Sequence, residues 1–278
     1  MKKFLFLPAL AAVILIAFWA AGSNFSNSPN KPLDPRSAVP TPINESLDLA
    51  GGPEKDVRGF PKRKIIDLAS MFPGLVFNRG PQTAKKIALT FDDGPDNVFT
   101  PQILDVLKSK GVSATFFVMG KRAEAWPDVF RRMVDEQHLI GNHTWNHPNL
   151  MKVSYDDMIA EVTRTSSLIQ TATSQSHMLF RSPYGSLDPG RVKVLGNMGY
   201  KILAWNVDSL DWKGLSTEEV TTNILENVTS GSIILQHSAG GVGEDLSGTV
   251  KALPKIIDVL QKEGYQFVTV NDLLNFKK

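Results

Sequence analysis

"KIALTFDDGPDNVFTPQILDVLKSKGVSATFFVM", residues 86–119, contains one complete strand–helix–strand unit and sets the pattern for the rest of the chain. Its ends, KIALTF (86–91) and SATFFVM (113–119), are short apolar runs rich in branched and aromatic side chains, as buried parallel strands are. Between them, Thr100 reads as a helix N-cap and Pro101 as the first helical residue. Ile103, Leu104 and Leu107 share one face, and Gly111 is the terminator. Helical signals recur near 127–137, 154–170, 188–198, 216–229 and 250–263, two of them opened by the capping boxes Ser154/Asp157 and Ser216/Glu219. Strand signals recur near 138–141, 178–181, 201–207, 232–236 and 266–270. This alternation predicts a parallel α/β fold, most simply a (β/α) barrel with about seven strands.

Upstream, the first 22 residues carry two lysines followed by an almost wholly apolar run, which reads as a cleaved export signal or an uncleaved membrane anchor. Either places the remainder outside the cytoplasm, secreted or anchored at the cell surface. Residues 23–59 are rich in Ser, Pro, Asn and Gly with no apolar period, as in a flexible tether. Residues 60–83 form a lead-in to the domain at 84–278, and the tether shows no oligomerisation helix, so a monomer is expected.

Composition removes several classes of function. The 278 residues hold 30 Lys and Arg against 28 Asp and Glu, and this near balance argues against a nucleic-acid partner. No cysteine is present, which excludes disulfides, thiolate metal sites and a cysteine nucleophile, so a metal would have to be held by His and carboxylate.

In parallel α/β folds the chemistry sits at the C-terminal ends of the strands, and five strand ends here carry ionisable groups. The first ends in Asp92 and Asp93, and the third runs into GNHTWNHPN with His143 and His147. Others end in FRSPYG (Arg181, Pro183, Tyr184), NVDSLDW (Asp208, Asp211, Trp212) and ILQH (Leu235, His237). Two histidines four apart can face one cation, and Pro148 sets them on a turn or loop. An Asp-Asp-Gly at a strand end is either a solvated turn or a pair whose repulsion a cation offsets, with one carboxylate as ligand and its neighbour free as a base. His138 and His177 lie outside these groups and read as packing or surface residues. Trp205 reads as core, Trp126 as helix-start packing, and Trp145 as groove lining or buried support.

TFDDGPD, HTWNH, RSPYG, DSLDW and LQH, in this order, resemble the five motifs of the polysaccharide deacetylase family, also called carbohydrate esterase family 4 or the NodB-homology domain. The resemblance covers roughly 84–275 and implies a distorted (β/α) barrel. It also implies a metal-dependent amide hydrolase acting on N-acetylhexosamine polymers, with peptidoglycan first, chitin-like oligosaccharides second and acetylated xylan third. A non-catalytic glycan-binding homologue is the alternative. By the same resemblance Asp92 is the general base, and Asp93, His143 and His147 ligate zinc, cobalt or nickel. Arg181 pairs with the base. His237 is the general acid tuned by Asp211, Tyr184 gives a backbone N–H to the oxyanion, and Trp212, Leu235 and Pro183 belong to the substrate pocket.

Overall fold

The structure, a computed structural model, describes residues 67–276 apart from 174, 176, 177 and 242. The expected export segment, the expected tether, the start of the lead-in and His177 lie outside the described residues. Among the described residues, no helix is long and apolar enough to cross a membrane.

Eight parallel strands form one curled sheet. In chain order they are β1 (Val76–Phe77), β2 (Lys86–Asp92), β3 (Thr115–Val118), β4 (Leu139–Asn142), β5 (Met178–Phe180), β6 (Tyr200–Leu203), β7 (Val207–Asp208) and β8 (Ile233–His237). Their order across the sheet is β1-β6-β5-β4-β3-β2-β8-β7. A ninth strand, β9 (Gln266–Phe267), pairs with the start of β2 below the point where β3 joins it. The helices are α1 (Leu68–Met71), α2 (Phe99–Lys110), α3 (Gly120–Ala125), α4 (Pro127–Asp135), α5 (Tyr155–Ala172), α6 (Pro189–Asn197), α7 (Thr217–Leu225), α8 (Ser247–Lys262) and α9 (Val270–Leu273).

Alternation along β2 divides the core. Ile87, Leu89 and Phe91 pack with Ile103, Leu104 and Leu107 of α2 and with Leu253, Ile256 and Ile257 of α8. Ala88 faces the other way, into a second cluster with Phe117, Trp205 and Leu235. Thr90 and Asp92 share that second face by the same period of two, so the strand delivers a carboxylate to the concave side of the sheet.

The expected elements appear with three corrections. First, α2 is capped by Asp96, whose Oδ1 accepts from the backbone N–H of Val98, Phe99 and Thr100 at 3.1, 2.8 and 2.8 Å. The Thr100 hydroxyl instead accepts from Asp96 N–H and donates to the Ser238 carbonyl, so it cross-links two loops. Second, the single strand expected at 201–207 is two strands, β6 next to one end of the sheet and β7 at the other. Ala204 N–H donates to Phe77 O beside β1, whereas Asn206 N–H donates to Ile233 O beside β8, so the chain crosses the barrel's gap within three residues. Third, the last expected strand stops at Phe267, because Thr269 caps α9 through Asp272 N–H. The lead-in also contributes β1, paired with β6, which its two-residue length hides from any periodicity argument.

Candidate active site

Asp92 ends β2 and lies in register with His237, the last residue of β8, so both side chains emerge at the same edge of the sheet. Asp92 is only 3 % exposed. Directly after β5, the fully buried Arg181 donates from Nη1 to Asp92 Oδ1 and to Thr90 Oγ1, each at 2.8 Å. Its other donors reach the Leu203 and Ala204 carbonyls at 3.2 Å, and the guanidinium lies 4.2 Å over the Phe117 ring. The result is a planar clamp on one carboxylate oxygen, a task suited to arginine's rigid fork. The second oxygen, Oδ2, stands 3.8 Å from His143 Nε2.

Asp93 leaves the strand with φ +68°, and this left-handed turn makes the neighbouring carboxylates diverge. Its Oδ1 lies 3.3 Å from His143 Nε2 and 3.2 Å from His147 Nε2. The three ligand atoms are all within 4.8 Å of one another. The 143–147 segment is a loop, as Pro148 requires, with Thr144 at φ +67° and His147 at φ +61°. Each left-handed residue costs ~1–2 kcal/mol, so the loop's hydrogen bonds must hold it.

The protonation pattern here can be read from the partners. His143 Nδ1 is 2.8 Å from the Arg181 carbonyl, which only accepts, so Nδ1 carries a proton and Nε2 is the nitrogen turned toward Asp93. Asp93 Oδ1 is buried and accepts no hydrogen bond from the described residues. Two imidazole nitrogens and a carboxylate oxygen facing one another form an oxygen–nitrogen set fitted to a divalent cation. Burial lowers the His147 imidazole to about 4 despite the attraction of Asp93, so it is neutral near pH 7. Burial would raise the Asp93 carboxyl, but the side-chain contact with His143 and the attraction exerted by the His147, His143 and His237 imidazoles in their protonated forms outweigh it and hold the group well below the usual range.

On the far side of Asp92, His237 Nδ1 lies 2.7 Å from Asp211 Oδ1, and Asp211 Oδ2 accepts from His237 N–H at 2.9 Å and Thr249 Oγ1 at 2.8 Å. Burial alone would depress the His237 imidazole. The charge and hydrogen bond of Asp211, joined by Asp93 and Asp92, overcome it and push the group up to about 10. Asp211 is lowered, since the same contacts with His237 and Thr249 exceed its own desolvation.

The linkage follows from these directions. His237's contribution to stability is complete below its unfolded value of 6.5 and is lost as pH rises through about 10. Asp211's is present above 3.8 and is lost as pH falls through its lowered folded value. Asp211→Asn is therefore expected to move the deprotonation of His237 down by about one to three pH units, read by imidazole nitrogen NMR. An unchanged titration would contradict the pairing.

A cleft of about 670 Å³ opens over these groups, lined by Asp92, Asp93, His143, His147, Tyr184, Trp212, Leu235 and His237 among others. Arg181 and Asp211 stand behind it as supports. Pro183 is buried in the 3-10 turn Pro183–Gly185, whose Ser182, Tyr184 and Gly185 line the cleft. Tyr184 is half-exposed with φ +60°, its ring against His147 at 4.6 Å. Trp205 is core, as expected, but also forms part of the cleft wall, and its indole N–H has no hydrogen-bond partner among the described residues. Met119, Arg122, Asn149, Lys152, Gly241 and Glu244 complete the lining. None of these six carried a signal in the sequence, because they reach the cleft from loops, from the 3-10 turn Leu150–Lys152 and from the short helix α3, outside every motif.

His138 is buried against Phe116, its Nδ1 accepting from Ala114 N–H at 3.1 Å, which fits packing. Trp145 is buried support, with Arg164 3.4 Å over its ring. Trp126 caps no core and is more than a third exposed.

Fold and site together define a curled parallel α/β barrel with a cluster of carboxylates and imidazoles at its strand ends, three of which could hold a metal ion. Residues 79–203 match the family model for polysaccharide deacetylase. The chain is 42% identical over 199 residues to a peptidoglycan-N-acetylglucosamine deacetylase of Bacillus cereus, covering 72% of each chain. It is 35% identical to a chitooligosaccharide deacetylase of Bradyrhizobium, covering 66% of this chain and 87% of that one. The crystal structure of a peptidoglycan N-acetylglucosamine deacetylase superposes with TM-score 0.70 at 41% identity, covering 73% of this chain and 94% of that one. This chain belongs to the polysaccharide deacetylase family.

Proposed function

We propose that this protein is an exported, metal-dependent hydrolase that removes N-acetyl groups from N-acetylhexosamine polymers, with cell-wall peptidoglycan as its substrate. The observation that carries the reading is the pair of neighbouring carboxylates with divided surroundings. Asp93 Oδ1 lies between the Nε2 atoms of His143 and His147 at 3.3 and 3.2 Å, while Asp92 gives its Oδ1 to Arg181 and keeps its Oδ2 farther off, at 3.8 Å from His143. The names of the relatives support peptidoglycan over other glycans, and the lysine-led apolar N-terminus supports export.

An amide is a weak electrophile and water a weak nucleophile, so both must be assisted. Asp93, His143 and His147 would hold a divalent cation, most simply zinc, which when bound polarises a carbonyl and makes water more acidic. Asp92 Oδ2, the oxygen not engaged by Arg181, takes a proton from the attacking water. His237 is anchored by Nδ1 to Asp211 and keeps Nε2 for the cleft, where it passes a proton to the departing nitrogen. Water adds to the acyl carbon, the C–N bond breaks, and acetate and a free amine leave. The Tyr184 backbone N–H would donate to the oxyanion, while Leu235 and Trp212 enclose the acetyl methyl.

The test is acetate release from peptidoglycan, chitin oligomers and acetylated xylan by protein stripped of metal and reloaded with zinc, cobalt or nickel. Release is expected to be highest on peptidoglycan. Glycan binding without acetate from any of the three, under every metal, would favour a non-catalytic homologue and remove the proposal.

A further inference from the structure

Glu161 lies on α5, outside the cleft and outside every motif, yet it holds the loop between the two histidines. Its Oε2 accepts from the backbone N–H of Trp145 at 2.9 Å and of Asn146 at 2.7 Å, and its Oε1 accepts from Asn146 Nδ2 at 2.7 Å. The other amides of the loop are satisfied locally. His143 N–H donates to Val118 O, Thr144 N–H to Asn142 Oδ1 and His147 N–H to Thr144 Oγ1. The Thr144 and Trp145 carbonyls accept from Gly120 and Lys121 at the start of α3. Glu161 alone therefore accounts for the two amides at the centre of the loop, and its charged acceptor makes those bonds stronger than neutral ones.

The loop would not keep this shape by itself. Thr144 and His147 sit at φ +67° and +61°, conformations that a free segment leaves readily. Without an acceptor, the Trp145 and Asn146 amides would turn toward water, and His147 would move with them. His143 is fixed independently, by its Nδ1 bond to the Arg181 carbonyl and by the β4 ladder. The separation of the two Nε2 atoms therefore depends on the carboxylate of a different element.

We propose that Glu161 is a positioning residue that sets the affinity of the Asp93–His143–His147 cluster for its cation by fixing the His143-to-His147 turn. The inference rests on the reading of that cluster as a metal site. Outer partners of metal ligands typically change affinity by about 10–100-fold when removed, and Glu161→Ala is expected to fall in that range. Glu161→Gln keeps an acceptor for the amides but turns an N–H₂ toward Asn146 or Trp145, so its affinity should lie between those of the alanine variant and the wild type.

The experiment is competition for zinc between a chromogenic chelator and the metal-stripped protein, for wild type, Glu161→Ala and Glu161→Gln. It is paired with the visible absorption spectrum of the cobalt-loaded proteins and thermal unfolding of the stripped ones. Weakened zinc binding and an altered cobalt spectrum in folded protein are the expected results. A lower unfolding midpoint with unchanged zinc affinity and cobalt spectrum would mean that Glu161 only stabilises the fold, and would overturn the inference. If Glu161→Ala does not fold, Glu161→Gln decides by the same comparison. Failure of the wild type itself to bind zinc would instead remove the metal-site reading and this inference with it.

Discussion

Asp92→Asn is expected to reduce acetate release by about 10²–10⁴-fold, the usual contribution of a positioned general base. The change is nearly isosteric, and an amide oxygen can still accept from Arg181 Nη1 at the place where Oδ1 now stands. The clamp and the strand end should therefore persist, so the loss would report the missing proton acceptor and not a collapsed site. Initial rates on peptidoglycan, with circular dichroism of the same sample, make the check. Turnover within a few-fold of wild type would assign the base role elsewhere.

Arg181→Met should act on the fold as well as on the chemistry. It deletes a fully buried cation that joins β2, the end of β5 and the end of β6 with the residue after it, through Asp92, Thr90, Leu203 and Ala204. Methionine fills much of the volume but leaves the buried Asp92 carboxylate without its partner. Breaking a buried pair in this way costs about 3–5 kcal/mol. Denaturant unfolding should show that loss as a lower midpoint, together with reduced acetate release. Arg181→Lys should recover little, because one ammonium cannot reproduce the planar contacts to four acceptors. A midpoint within experimental error of wild type would show that the clamp contributes nothing.

Much of this site is legible in the sequence, because its residues are fixed by strand ends and short spacings. Asp92 and Asp93 follow an apolar strand, His143 and His147 are four apart before a proline, and His237 closes another strand. Ser216 and Glu219 form the full reciprocal capping box that their spacing predicts. The Ser154 pair forms half of one: Ser154 Oγ accepts from Asp157 N–H, but the Asp157 carboxylate accepts from the Ser154 hydroxyl and not from its backbone N–H.

What was hidden depends on contacts distant in the chain. Thr100 has a cap's chemistry and a cap's place before Pro101, but Asp96 turns back over three amides and takes the role, freeing the threonine for Ser238. Nothing near residues 201–207 signals that their two ends serve strands toward opposite ends of the sheet, since a barrel's gap is a property of closure and not of local pattern. Glu161 reads as an ordinary polar position on a helix, and only the folded loop gives it partners. Trp205 has the composition of core and is core, yet the curvature of the sheet also brings it to the cleft wall.

The central claim is a division of labour between adjacent carboxylates, with Asp93 as ligand and Asp92 as base, and a zinc titration of metal-stripped protein tests it most directly. Wild type and Asp92→Asn should each bind one zinc ion per chain with similar affinity, while Asp93→Ala should lose that binding. If Asp93→Ala retains the ion, or Asp92→Asn releases it, the two carboxylates do not hold the roles their geometry assigns.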